Sequence, residues 1–160
     1  MAANPPVVSN TTPLINLVGV GLLDLLPTLY GSVTIAQAVD AEYARGKTAT
    51  DPDLHSLRWL QIVPSPPIRT SLPQQLGLGE AVTLSLAVDL SARAVLLDEA
   101  YGRRLAQSLG LPIVGTLGVH LAAKQAGALS AVRPVIDQMI LQGRRISARL
   151  RAHVLRAAGE

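Results

Sequence analysis

The sequence of 160 residues contains no cysteine. Disulfides and thiolate metal sites are therefore excluded, and we expect a reducing compartment, the cytoplasm. Aromatic residues make up only 2% and phenylalanine is missing, so a core must be built from leucine, valine, isoleucine and alanine. The same scarcity argues against a surface on which nucleic-acid bases stack, as they do on single-strand binding proteins.

Long charge-free stretches are present, but none has the features of a targeting or membrane-spanning segment. The first 23 residues carry no charge, yet they lack a basic start and contain Pro5, Pro6 and Pro13, which do not suit a signal peptide. The stretch between Arg104 and Lys124 is interrupted by glycine and proline. The net charge of +3 mildly favours a polyanionic partner.

Short apolar runs alternate with helical patterns along the chain. Strands are predicted at 7–9, 32–35, 61–63, 94–97 and 113–114. Helices are predicted at 14–29, 36–44, 78–92, 99–109, 117–126, 130–142 and 147–158, and also on the approach to Trp59. This alternation predicts a parallel sheet covered on both faces. We expect one domain over 1–160, with a basic helical segment at about 144–160.

Polar residues directly follow two of the predicted strands. Asn10 and Thr11 follow the first strand, and Asp98 and Glu99 follow the strand at 94–97. Open parallel sheets bind ligands at the carboxyl ends of their strands, which makes these residues candidates for a site. Helix capping is the alternative explanation for Asn10 and Asp98, since both residue types are favoured at that position.

Two glutamates extend this candidate site. Glu80 begins a helix that is apolar nearly all round and therefore buried, although an acid in the first turn also suits the helix dipole. Glu42, taken alone, is typical of a solvated helix face. Carboxylates that converge in one cleft repel each other, and a hard divalent cation with oxygen ligands offsets that repulsion. Such ions activate water and stabilise the leaving oxygen in phosphodiester cleavage.

These residues resemble the acidic positions of the PIN-domain nucleases, including VapC-type toxins. The matching residues are Asn10, Glu42, Glu80 and Asp98, and segments 79–81 and 96–99 are the most specific part of the match. Segments 7–15 and 102–118 are similar to an uncharacterised prokaryotic PIN-like branch.

The resemblance implies an α/β fold, a three-layer α/β/α sandwich with a five-stranded, mainly parallel sheet. It also implies Mg²⁺ or Mn²⁺ held by Glu42, Glu80 and Asp98, cleavage of RNA, a homodimer and a partner antitoxin. We therefore expect a metal-dependent endoribonuclease, the toxin of a toxin-antitoxin pair. Asn10 stands where the family has an acid, and an amide oxygen ligates a metal without adding charge. The alternative is a PIN-fold module that binds RNA or protein with weak or no catalysis.

Further residues are assigned accessory roles. Glu99, Thr11 and Thr116 follow strands and are candidates to assist the site, with helix capping as the alternative for Thr116. Arg144, Arg145 and Arg149 are candidates for contact with RNA phosphates or an acidic antitoxin surface, with a solvated helix face as the alternative. The three histidines lack metal-ligand spacing, and we expect them to be structural or on the surface.

Overall fold

The computed structural model describes residues 4–160. Its single sheet contains β1 (Val7–Ser9), β2 (Val33–Ala36), β3 (Leu60–Val63), β4 (Ala94–Leu96) and β5 (Ile113–Val114). The helices are α1 (Thr11–Gly19), α2 (Leu25–Tyr30), α3 (Gln37–Gly46), α4 (Leu78–Asp89), α5 (Ala100–Ser108), α6 (Thr116–Gln125), α7 (Arg133–Leu141) and α8 (Ala148–Ala157).

The five strands are all parallel and lie in the order β3-β2-β1-β4-β5. The chain starts at the centre of the sheet, extends it to one side through β2 and β3, and then crosses β1 to add β4 and β5. The order therefore reverses between β1 and β4, where the chain leaves the two strands in opposite directions. In open α/β sheets a crevice forms at the carboxyl ends of the strands at this switch point.

The sheet separates two hydrophobic cores because successive side chains of a strand point to opposite faces. Val7 and Leu96 belong to the core that packs against α1, α2, α3 and α6. Val8 and Val95 belong to the core that packs against α4 and α5. The result is the expected α/β/α arrangement. A third, smaller cluster joins α7 to α8, and α8 also packs against α6.

The expected elements are confirmed with two exceptions. The pattern over 14–29 forms two helices, and Gly21, with a φ of 70°, lies in the turn that separates them. The predicted helix towards Trp59 is wrong: a single 3₁₀ turn, Leu54–Ser56, is formed there. The Asp53 side chain accepts a hydrogen bond from the backbone nitrogen of His55, which favours a tight turn into β3. Within residues 4–160, no helix has the length and apolar character needed to cross a membrane.

Candidate functional site at the switch point

Asn10 directly follows the carboxyl end of β1, at the point where β1 and β4 lie side by side and the sheet order reverses. Its side chain is buried, and its backbone nitrogen donates to the carbonyl oxygen of Leu96 in β4 at 3.0 Å. It occupies the N-cap position of α1, but within the described residues its side chain accepts no hydrogen bond from the backbone of that helix. The Asn10 Oδ1 atom instead accepts a 3.5 Å hydrogen bond from the Thr83 hydroxyl of α4. Helix capping is therefore the wrong explanation for Asn10.

Gly79, in the first turn of α4, brings Glu42 and Asn10 to one point. A Cβ atom on Gly79 would lie 3.3 Å from Asn10 Oδ1 and would overlap the Glu42 Oε2 atom. Glu42 is an exposed residue of α3, but its carboxylate lies against this glycine and not only against solvent. The absence of a side chain at position 79 allows α4 to present its first turn to both oxygens.

Glu80 connects this point to a third acid. Burial raises the pKa of Glu80 above its usual range, and the carboxylates of Glu99 and then Glu42 raise it further. Glu99 occupies the N-cap position of α5, but within the described residues its side chain makes no capping hydrogen bond to that helix. Glu42 and Glu99 thus both lie close enough to repel the Glu80 carboxylate, and the three residues are called here the glutamate cluster.

Asp98 lies two residues after the end of β4, and hydrogen bonds fix its side chain. Its Oδ1 accepts from the Thr116 backbone nitrogen at 2.7 Å. Its Oδ2 accepts from the Thr116 hydroxyl at 2.6 Å and from Asn16 Nδ2 at 2.9 Å. Thr116 is the first residue of α6, so this carboxylate lies at the positive end of the helix dipole. The N-cap position belongs to Gly115, and the alternative role of Thr116 as a cap is wrong.

Buried polar atoms lie next to Asp98 on α1 and α6. His120 follows Thr116 by one helical turn and is fully buried. Burial lowers its pKa to about 4, and the Asp98 charge partly opposes this shift. Among residues 4–160, neither ring nitrogen of His120 has a hydrogen-bond partner, and the same holds for Asn16 Oδ1 and Thr11 Oγ1. His120 is therefore a neutral ring at neutral pH, and Thr11 makes no side-chain contribution to the hydrogen bonds around Asp98.

A cleft of about 820 Å³ extends from Asp98 along the β5 edge to the loop between α7 and α8. Its polar lining residues include Thr12, Asn16, Asp98, Glu99, Arg103, Thr116, Arg144, Arg145 and His153. Two of the three arginines proposed from the sequence therefore line the cleft. Arg149, an exposed residue of α8, is not among the lining residues of the described chain. The cleft thus carries two acids that follow β4, Asp98 and Glu99, and three arginines, Arg103 on α5 and Arg144 and Arg145 in the loop between α7 and α8.

The donor set of the site suits a hard cation, because it consists of carboxylate and amide oxygens. Within the described residues, no three histidine, aspartate or glutamate side chains form a group that holds a metal ion by itself. Mg²⁺ does not need such a group, since it keeps several of its own waters and binds to one or two carboxylates. The residues present therefore fit a hydrated ion better than a closed protein cage.

The fold and this site define a class, the α/β domains with an acidic cleft at the switch point of a parallel sheet. The comparison with protein families gives the particular membership: the model for the PIN domain matches residues 6–160. The chain belongs to the PIN-domain family, a family of nuclease-type folds that generally use divalent metals. No curated protein matches the chain.

Three residues of the site, Asn16, Arg103 and Gly79, were not identified from the sequence. Gly79 is the point at which the side chains of Asn10 and Glu42 meet. Asn16 carried a weak signal, since it is a polar residue within an apolar helical pattern and lies one turn after Thr12. Arg103 lies within segment 102–118, which carries part of the family resemblance, but only the packing of α5 beside β5 shows which way its side chain points.

Proposed function

We propose that this protein is a divalent-metal-dependent endoribonuclease that acts in the cleft between β1 and β4. Mg²⁺ or Mn²⁺, keeping several of its waters, would be held among Glu42, Glu80 and Asp98, directly by one or two of them and through water by the others, with Asn10 supplying a neutral oxygen and Glu99 adding charge. The observation that carries the proposal is the convergence of Asn10 and Glu42 on Gly79, beside Glu80. Three chain segments that are distant in sequence, the end of β1, helix α3 and the start of α4, supply the oxygen donors that support this proposal.

The glutamate cluster supplies the reason for a cation. Burial and two neighbouring carboxylates raise the pKa of Glu80, so ionising the whole cluster is costly until a positive charge enters. A bound divalent ion would supply an activated water and neutralise charge on the phosphate. The chain's own residues hold the rest in place: Thr116 and Asn16 orient Asp98, and Thr83 contacts Asn10.

RNA is the proposed substrate because arginines line the cleft together with the acids. Arg144 and Arg145 line the cleft from the loop between α7 and α8, where a polyanion's phosphates would bind. The protein's net charge of +3 also favours a polyanionic substrate. Arg149 is proposed to contribute from the exposed face of α8.

The resemblance to VapC-type proteins extends the proposal to the biological role. We include in it a cytoplasmic toxin, a cognate antitoxin protein and a homodimer. Exposed apolar side chains on α7 and α8, Leu141 at 88% and Leu150 at 44%, are the surface on which we base association. Sedimentation at micromolar concentration tests the dimer, and a Leu141→Glu variant that remains dimeric would place the interface elsewhere.

A second candidate function is a PIN-fold module that binds RNA or protein with little or no cleavage. The observation in its favour is charge: Asn10 brings none, and both Asp98 oxygens already accept hydrogen bonds. Both features weaken metal binding relative to a site with four free acids.

A cleavage assay on structured RNA separates the two. Wild type and Asp98→Ala are compared with the control Asp89→Ala, which removes an exposed acid paired with Arg69. The ribonuclease proposal predicts Mn²⁺-dependent cleavage by wild type and the control, lost with chelator and at least about tenfold slower in Asp98→Ala. RNA binding by all three proteins without cleavage would support the binding module instead.

A further inference from the structure

Arg103 stands on α5 and reaches the Asp98 end of the cleft. A Cβ atom on Gly115 would lie 2.7 Å from Arg103 Nη1 and 3.1 Å from Asp98 Oδ1. The guanidinium and the carboxylate therefore flank the same glycine, at the ends of β4 and β5. Gly115 leaves the space that the arginine enters.

The guanidinium of Arg103 is not neutralised by the acids near it. Among residues 4–160, it forms no salt bridge within 4.0 Å and donates no side-chain hydrogen bond. Arg151 and Arg93 differ: the first binds Asp137 at 2.7 Å and the second donates to the carbonyl oxygens of Tyr30 and Pro5. An arginine carries five N–H donors and stays charged, so Arg103 presents a free positive fork to the cleft.

We propose that Arg103 is the phosphate-binding residue of this site, placed to hold the phosphate that is attacked. The inference rests on the proposed ribonuclease function and names a catalytic group that the acidic pattern does not contain. Arg103 lies on α5 beside the glutamate cluster: Glu99 is the N-cap residue of that helix, and a Cβ atom on the neighbouring Gly102 would lie 3.5 Å from Glu80 Oε2.

The chemical reason is the charge that develops on phosphorus-bound oxygens. In hydrolysis a water oxygen bonds to phosphorus and gives up a proton, the bond to the leaving ribose oxygen breaks, and that oxygen takes up a proton, so that one water is added in total. Negative charge increases on the non-bridging oxygens, and a guanidinium fork donates two parallel hydrogen bonds to such oxygens. Arg103 remains protonated throughout and supplies binding and charge, not a proton.

The test compares Arg103→Gln and Arg103→Lys with a matched control, Arg104→Gln. Arg104 is the next residue, but its guanidinium lies over the Tyr101 ring at 5.6 Å and outside the cleft lining. The first readout is binding of a short single-stranded RNA in chelator, measured by fluorescence anisotropy over a range of salt concentrations. We expect Arg103→Gln to weaken binding and reduce the salt slope by about 0.7, the value for one lost phosphate contact, and Arg104→Gln to change neither.

The second readout is cleavage with Mn²⁺. We expect Arg103→Gln to lower kcat by about 100-fold with a smaller effect on KM, and Arg103→Lys to recover part of the loss. Equal salt slopes for Arg103→Gln and Arg104→Gln would overturn the proposal, as would unchanged kcat in Arg103→Gln. If wild type cuts no RNA, the ribonuclease function fails, and the binding readout alone decides whether Arg103 holds phosphate.

Discussion

Thr116 donates two hydrogen bonds to the Asp98 carboxylate, one from its backbone nitrogen at 2.7 Å and one from its hydroxyl at 2.6 Å. The two residues are 18 apart in sequence and follow neighbouring strands of the sheet. Asn16 adds a third hydrogen bond from α1. The Asp98 side chain is therefore oriented before any ligand enters, while repulsion disfavours the charged form of Glu80 in the glutamate cluster.

Thr116→Val tests this orientation, because valine keeps the shape and the backbone donor but removes the hydroxyl. We expect metal-dependent cleavage to fall by about tenfold, as is usual when a group that orients a ligand is lost. The free energy of unfolding should fall by about 1 kcal/mol, measured by urea titration. Thr116→Ser keeps the hydroxyl and should restore both values; a serine variant as impaired as the valine variant would contradict the assigned hydrogen bond.

Glu80→Gln tests the repulsion within the glutamate cluster. A carboxyl group whose pKa is raised on folding contributes stability below its unfolded value of 4.5, and that stability is lost as pH rises through the folded pKa. Without metal, we therefore expect the variant to melt above wild type at pH 8 and close to it at pH 4. Asp89→Asn, outside the cluster, serves as the control. A variant that melts below wild type at pH 8 would show that the Glu80 charge is favourable in the free protein.

His120→Leu tests the buried histidine. Its pKa is about 4 in the folded protein against 6.5 unfolded, so the unfolded state gains the proton first as pH falls. The free energy of unfolding of wild type should fall by about 3 kcal/mol between pH 6.5 and pH 4 because of this group. That of the variant should not. Replacement of the exposed His153 by asparagine is the control. If the free energies of unfolding of wild type and His120→Leu changed in parallel with pH, His120 would take up its proton as readily in the folded state as in the unfolded state, which would contradict the lowered pKa.

The sequence predicts the sheet because buried parallel strands are short apolar runs, and Val7-Val8 and Val95-Leu96 have that character. It also predicts Asn10 and Asp98 as site residues, since the end of a strand is a position readable from the pattern. The helix predicted towards Trp59 fails because a local side-chain bond from Asp53 competes with helical hydrogen bonds.

The contacts of the site were not readable from the sequence, because they join segments that are distant in the chain. The Asn16–Asp98 bond spans 82 residues, and its prediction requires the relative rotation of α1 and α6. Arg103 is one of two adjacent arginines, and only the rotation of α5 about its axis separates the cleft-lining Arg103 from Arg104.

The central claim is that the switch point of the sheet binds a divalent cation through Asn10, Glu42, Glu80 and Asp98. Calorimetric titration of Mn²⁺ into wild type, Asn10→Asp, Asp98→Ala and the control Asp89→Ala tests it directly. Aspartate has nearly the shape of asparagine and accepts the Thr83 hydrogen bond equally well, so Asn10→Asp adds charge without repacking. We predict at least about tenfold tighter Mn²⁺ binding in Asn10→Asp, weaker binding in Asp98→Ala, and no change in the control. Identical Mn²⁺ binding by all four proteins would contradict the claim.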